Sequence, residues 1–212
     1  MKTQGLELDG ERVVLHADRA MVWPRMRTVF VADLHWGKRE TFGVAGIPLP
    51  DGLLDHELAR IDSLVREFRA ERIVVLGDLV HSRAGITEPV IDRIGRWRRG
   101  GPEMVLVRGN HDRHVPELPT GWNIVDATDT IERPFLLTHV PRSKAGYHVL
   151  CGHLHPVVRL RSAGDGMRVP CFHLRPGCAV LPAFSEFTGG AVIRRTPQDR
   201  VYALAEGHVI DV

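Results

Sequence analysis

Cysteine is scarce in this chain of 212 residues, and the three present, Cys151, Cys171 and Cys178, are an odd number with no CxxC spacing. That count argues against both a disulfide framework and a thiolate zinc site, and the thiols are expected to be reduced and buried. Long apolar runs are missing as well. No window approaches the ~18 continuous apolar residues that a membrane span needs. The opening stretch MKTQGLELDGERVV carries no apolar core of a secretory signal. A soluble, cytoplasmic protein with no membrane partner is the expectation. Excess charge is also lacking: 28 Lys and Arg against 26 Asp and Glu leave a formal charge of +2, too little for a binder held by net charge alone. Lysine is rarer still, and 25 of the 28 basic residues are arginine, the side chain best suited to forked phosphate contacts. With 43% hydrophobic residues there is enough apolar material for one sizeable core, so residues 1–212 read as a single domain.

What the chain has instead is histidine, 12 residues against 2 Tyr and 7 Phe, and their placement carries the information. Residues 6 to 23 alternate apolar and polar around Asp9 and Gly10, the pattern of an edge hairpin. Thr28 to Ala32 is a short apolar strand that runs into Asp33, Leu34 and His35. If the backbone stays extended, Asp33 and His35 project to one side as a two-ligand bite. The following WGKRETFGVAGIPLPDG is rich in Gly and Pro and reads as a functional loop, with Trp36, Lys38 and Arg39 placed to stack on a base or touch phosphate. From Asp51, apolar residues at Leu54, Leu58, Ile61, Leu64, Val65 and Phe68 mark one face of a helix. Arg72 to Leu76 is a buried strand followed by Gly77, Asp78, Leu79, Val80 and His81. A second helix is expected from Thr87 to about Arg98, with Thr87 as N-cap and Pro89 in its first turn, and with Arg93, Arg96, Arg98 and Arg99 on a solvated face.

The strand Met104 to Val107 ends in Gly109, Asn110, His111 and Asp112. In an extended chain Asn110 and His111 would point oppositely, one toward a metal and one toward a substrate. Pro134 to Thr138 ends in His139, and Tyr147 to Cys151 ends in Gly152, His153, Leu154 and His155. The remainder, with VVRL, RVPCFHL, CAVLP, AVIRR and VYALA separated by Gly and Pro, completes a second sheet. Five successive strand tips thus deliver Asp33 and His35, Asp78, Asn110 and His111, His139, and His153 and His155. Strand tips are where open α/β sheets place ligand sites. Carboxylate, amide oxygen and imidazole without thiolate suit manganese, iron or zinc better than magnesium or calcium. Seven ligands exceed the need of one ion, whereas two ions sharing a carboxylate use them all. A pair ~3.5 to 4 Å apart can hold hydroxide and clamp both oxygens of an in-line displacement at phosphorus.

The ordered set DLH, GDLVH, GNHD, TH and GHLH, residues 33 to 155, resembles the calcineurin-like metallophosphoesterase superfamily. The resemblance implies an α/β fold of two packed mixed β-sheets flanked by helices, without a large cap. It implies that Asp33, His35 and His155 hold one metal and Asn110, His139 and His153 the other, with Asp78 bridging. His111 becomes the acid that protonates the leaving oxygen after in-line attack of the metal-bridging hydroxide. A narrower resemblance rests on DLHWGKRETFGVAGIPLPDG, VLGDLVHS, GNHDRH, CGHLHP, RVPCF and LPAFSEFTGG, which are similar to the bacterial ligase-associated DNA damage response endonucleases. What this implies is manganese-dependent internal scission of single-stranded DNA in repair, leaving 3′-hydroxyl and 5′-phosphate ends, with a functional link to a DNA ligase, a helicase and an exonuclease.

Where phosphatases and diadenosine polyphosphate hydrolases of the superfamily carry Asp, Arg and Gly, this chain has His81, Ser82 and Arg83, and it has Asp112 where they usually have Glu. A histidine at position 81 resembles the nuclease subunit of double-strand-break repair complexes, which nominates His81 for contact with the scissile phosphate. Lys38 and Arg113, and with less claim Trp36 and Arg142, are candidates for holding the strand by their nearness to the ligands. A small-molecule or nucleotide phosphodiesterase with the same metals is the alternative, and a non-catalytic scaffold is a third reading that the complete ligand set disfavours.

Overall fold

The structure, a computed structural model, describes residues 1–162 and 165–212. The alternation at the start becomes a hairpin of β1 (Thr3–Leu8) and β2 (Glu11–His16). Its turn, Asp9 and Gly10, has positive φ at both residues, 46° and 84°, as a two-residue hairpin whose twist matches its strands requires. β3 (Ala20–Trp23) and β4 (Thr28–Val31) extend the antiparallel half. β5 (Arg72–Val75), β6 (Glu103–Val107) and β7 (Val125–Ala127) then add in parallel to β4, giving a seven-stranded sheet in chain order.

β4, β5 and β6 are apolar at nearly every position because both their faces are covered. Phe30, Val74, Val105 and Val107 face the second sheet, while Val29, Val31, Ile73, Val75, Met104 and Leu106 face the helices. That helical layer is α2 (Leu53–Phe68), which buries Leu58, Ile61 and Leu64, and α3 (Glu88–Arg98), which buries Val90 and Ile94. Thr87 and Pro89 start α3 as expected. Two readings are corrected. The Gly- and Pro-rich stretch after the first tip contains a short helix, α1 (Lys38–Val44). Arg98 is buried rather than solvated, since its guanidinium donates to the carbonyls of Trp122 (3.0 Å) and Pro102 (2.9 Å).

The second sheet comprises β8 (Thr130–Glu132), β9 (Phe135–Leu137), β10 (His148–Cys151), β11 (Pro156–Ser162), β12 (Asp165–Arg175), β13 (Cys178–Val180) and β14 (Ala191–Val192). β15 (Arg200–Ala205) and β16 (His208–Asp211) continue from β12. β9, β10 and β13 run parallel; β12 is antiparallel to β13. Phe135, Leu150, Phe172 and Leu174 pack on Phe30, Val74 and Val105 between the sheets. Each such fully buried side chain contributes about 1.5–3 kcal/mol. The three cysteines are free and buried. Among the described residues no helix is long and apolar enough to cross a membrane.

Two buried histidines make this fold sensitive to acid. His16, beneath α2, accepts the Asp18 N–H at Nδ1 (3.0 Å), and His148 lies in β10. Burial holds both below the ordinary histidine value of 6.5. The unfolded chain therefore takes up protons first as pH falls, so this contribution is present above pH 6.5 and is lost progressively below it. Urea midpoints measured from pH 8 to pH 5 should drop across that range. His16→Asn, whose side-chain oxygen can still accept the Asp18 N–H but does not titrate, should be less stable at pH 8 and show a shallower drop; an unchanged slope would remove His16 from this account.

Candidate metal centre

The chain does not stay extended beyond its strands, which corrects the expected route to the site. Asp33, His35, Asp78, His153 and His155 have φ of 56°, 51°, 53°, 72° and 44°, in the left-handed region that costs a non-glycine residue about 1–3 kcal/mol. His111 is in the right-handed helical region, so it and Asn110 do not oppose each other as on a strand. The left-handed residues let the loops after β4 and β5 keep pairing: Asp33 N–H donates to Gly77 O (3.0 Å), His35 N–H to Asp78 O (2.9 Å) and His81 N–H to Trp36 O (3.0 Å). Two glycines permit the closeness. A Cβ on Gly77 would stand 2.1 Å from His139 Nδ1, and one on Gly109 would stand 2.2 Å from Asp78 Oδ1.

The candidate ligands converge in two groups, Asp33 with His35 and His155, and Asp78 with His139 and His153, each with its ligand atoms within 4.8 Å of one another. Asn110 joins the second: its Oδ1 is 2.9 Å from His139 Nε2. His139 Nδ1–H donates to Leu76 O (2.9 Å), which leaves the Nε2 lone pair facing Asn110 Oδ1, Asp78 Oδ2 (3.4 Å) and His153 Nδ1 (3.0 Å). His155 repeats the pattern. Its Nδ1–H donates to Gly189 O (3.0 Å), and its buried Nε2, without a hydrogen-bond partner, faces Asp33 Oδ1 at 3.3 Å. Imidazoles tethered outward through Nδ1–H, with Nε2 turned to carboxylate and amide oxygens, are oriented as metal-ligating histidines are.

The carboxylates are set by the same contacts. Burial pushes the Asp78 carboxyl up, but His139, the His111 N–H on Oδ1 (2.9 Å) and His35 together outweigh it and leave it at about 2. Burial likewise lowers His35 to about 3, keeping its imidazole neutral and able to ligate. Asp33 receives the His153 N–H on both oxygens (3.2 and 3.1 Å), tying a tip of the first sheet to one of the second.

His81 and His111 stand beside the first group. Their rings stack with centroids 5.4 Å apart, and with His35 they form a third cluster of nitrogens within 4.8 Å, a closeness the spacing did not foretell. His111 Nδ1–H donates to His81 O (2.8 Å), so Nε2 is the nitrogen left for proton transfer.

Of the residues expected to hold substrate, Arg113 is exposed, two residues along the chain from His111. Lys38 is only 4% exposed, and its Nζ donates to Phe187 O (2.6 Å) and Glu186 O (3.2 Å); burial lowers it to about 8. Two of the ammonium's three N–H groups are thus taken by loop carbonyls. Trp36 cannot stack on a base because it is buried edge-on against Trp97 and Trp122. Arg142 is paired with Asp129 (2.6 Å).

Two supports escaped the reading of the sequence. Asp112 is fully buried and accepts three backbone N–H groups, from Asp78 (2.9 Å), Gly109 (2.8 Å) and Val80 (3.1 Å), locking the loop after β5 to the loop after β6. The stretch LPAFSEFTGG walls the site from the second sheet: Phe184 N–H donates to Ala32 O (2.8 Å), Ser185 N–H to Asp33 O (3.3 Å), and Gly189 O orients His155. The stretch stood out as a family motif, yet it contains none of the candidate ligands.

Two packed sheets whose tips gather an oxygen and imidazole set define a metallophosphoesterase. The calcineurin-like phosphoesterase family profile matches residues 26–173, and the chain belongs to that family of phosphoester-hydrolysing, divalent-metal enzymes. Among solved structures, the Pseudomonas putida nuclease MPE is similar over 99% of this chain and 100% of that chain, at 34% identity and a TM-score of 0.87. A protein of unknown function from Aquifex aeolicus matches 60% of this chain and 78% of its own at 16% identity and a TM-score of 0.43. The E. coli phosphoesterase Yfce matches 84% and 88% at 17% identity and a TM-score of 0.42. No curated protein matches the chain.

Asp112→Asn should expose how much the loops rely on that carboxylate. The amide keeps one acceptor oxygen and turns N–H groups toward backbone donors, so unfolding of the metal-stripped protein in urea should show a loss of about 2 kcal/mol, in the range for hydrogen bonds to charged groups. A midpoint within error of the parent would show that the loops hold without it.

Proposed function

We propose that this chain is a binuclear, manganese-dependent phosphodiesterase that cuts single-stranded DNA internally during repair in the cytoplasm. The observation that carries the reading is that His139 and His155, each tied through Nδ1–H to a backbone carbonyl, turn Nε2 toward the Asn110 amide oxygen and the carboxylates of Asp78 and Asp33. Likeness along the whole chain to a nuclease supports a polymeric substrate. Asp33, His35 and His155 would hold one cation, Asn110, His139 and His153 the other, and Asp78 both. Iron or zinc would suit the same donors. Two divalent ions at such a site activate water toward phosphorus and neutralise phosphoryl charge.

The protein's own part is proton transfer and positioning. His111, oriented through Nδ1–H on His81 O, carries at Nε2 the proton that the departing 3′-oxygen needs. His81, stacked on that ring, would contact the scissile phosphate, and exposed Arg113 would contact the strand's backbone. A functional link to a ligase, a helicase and an exonuclease follows from the motif resemblance.

The test uses metal-stripped protein with circular single-stranded DNA, matched duplex and a chromogenic phosphodiester, adding manganese, magnesium, zinc or nothing. Linearised and then shortened circles with manganese, beside intact duplex, are expected, because a circle offers no end to an exonuclease. An untouched circle with a cleaved chromogenic ester would replace this reading with a small-molecule phosphodiesterase. His111→Ala should lower turnover of DNA by on the order of 100-fold, the usual scale of a general acid, while sparing metal content and costing much less on the activated ester. Equal losses on both substrates would remove His111 from the role of acid.

A further inference from the structure

Phe187 is the unusual residue on the rim of the centre. The residue is 57% exposed, and its backbone sits at φ 54°, a conformation that non-glycine residues avoid. Exposed apolar residues are common on proteins, but here the conformation is held from several sides. Arg19 Nη1 and Thr188 Oγ1 donate to Ser185 O (2.8 and 2.7 Å), Lys38 Nζ donates to the carbonyls of Glu186 and Phe187, and His155 Nδ1–H donates to Gly189 O. Strained backbone persists where its surroundings over-determine it, typically at working sites.

The rim connects directly to the chemistry. Phe187 is two residues from the carbonyl that orients His155, and both side chains line a cleft of about 70 Å³ with Thr188 and Gly189. On the other side, Lys38 Nζ lies 6.0 Å from the centroid of half-buried Phe42, whose ring is 5.5 Å from that of His81. One buried lysine thus ties the backbone of Phe187, which lines a cleft with His155, to the neighbourhood of the Phe42 ring beside His81.

We propose that Phe187 is a stacking platform for an unpaired base next to the scissile phosphodiester, with Phe42 the matching face on the His81 side. The inference rests on the nuclease reading above and adds the source of its strand preference. In a duplex, base faces are covered by their neighbours and the strand cannot splay its bases onto a rim; an unpaired strand can, and stacking tolerates any base because each has a π-face. The rim would therefore select single strands without reading sequence. Lys38 acts as a positioning residue here, since it touches the loop and not the strand.

The experiment compares parent, Phe187→Ala and Phe187→Trp enzymes on a single-stranded oligonucleotide bearing 2-aminopurine and on one with abasic residues flanking the cleavage site. KM and kcat are measured with manganese, and fluorescence is followed on mixing, before cleavage. Stacking predicts quenching with the parent and the Trp variant. It predicts that Phe187→Ala loses the quench and raises KM on the ordinary strand by on the order of 10-fold. On the abasic strand the Ala variant and the parent should match. If Phe187→Ala keeps the parent's KM and quench on an ordinary strand that the parent cleaves, the platform is wrong while the nuclease reading stands. Equal impairment on both strands would also overturn it, by making the ring a prop for the loop. A parent that neither binds nor cuts either strand would overturn the nuclease reading, and the platform with it.

Discussion

The rest of the molecule answers to one electrostatic constraint: buried lone pairs held toward one another. Asp33 and Asp78 with the outward-tethered imidazoles of His139 and His155 bring carboxylate oxygens and ring nitrogens together in a buried cluster. Burying such a set costs folding free energy, and hydrophobic packing elsewhere has to offset it. The slab between the sheets, with Phe30, Phe135 and Phe172 fully buried, and the helical layer on the first sheet together supply that offset.

Strain and hydrogen bonds then fix the cluster in shape. Five left-handed residues turn side chains inward from tips that would otherwise continue outward, and the glycines at 77 and 109 let loops approach to distances that a methyl group would forbid. Asp112, chemically able to serve as a ligand, is instead consumed by three backbone donors. A carboxylate beside a metal centre thus works as a cross-link between loops.

Much of this was legible in the chain because apolar runs buried on both faces stop abruptly at polar residues, so the five tips and the residues on them stand out. Six of those residues gather in two groups, but the geometry that gathers them was not legible. Alternation assumes an extended backbone, and Asp33, His35 and His155 carry no glycine to warn that φ changes sign. The burial of Lys38 was hidden for another reason: its acceptors lie 148 and 149 residues further on. Trp36 looked free among glycines and charges because its partners, Trp97 and Trp122, belong to other elements. The LPAFSEFTGG stretch contributes mainly through carbonyls and N–H groups, which every residue has, so its side chains could not announce its role.

The halves of the centre come from different sheets. Asp33, Asp78 and Asn110 follow strands of the first, whereas His139, His153 and His155 follow or flank strands of the second, and between them the sheets pack through apolar side chains, with a few backbone bonds joining them at the tips. Functional constellations tolerate misplacement of only about 0.5 Å, roughly a third of a carbon–carbon bond. The interior aromatics therefore act as the spacer of a two-jawed instrument. A methyl group gained or lost at Phe135 or Leu150, buried between the sheets, alters the gauge between the jaws, and residues that look like mere filling become part of the catalytic tolerance.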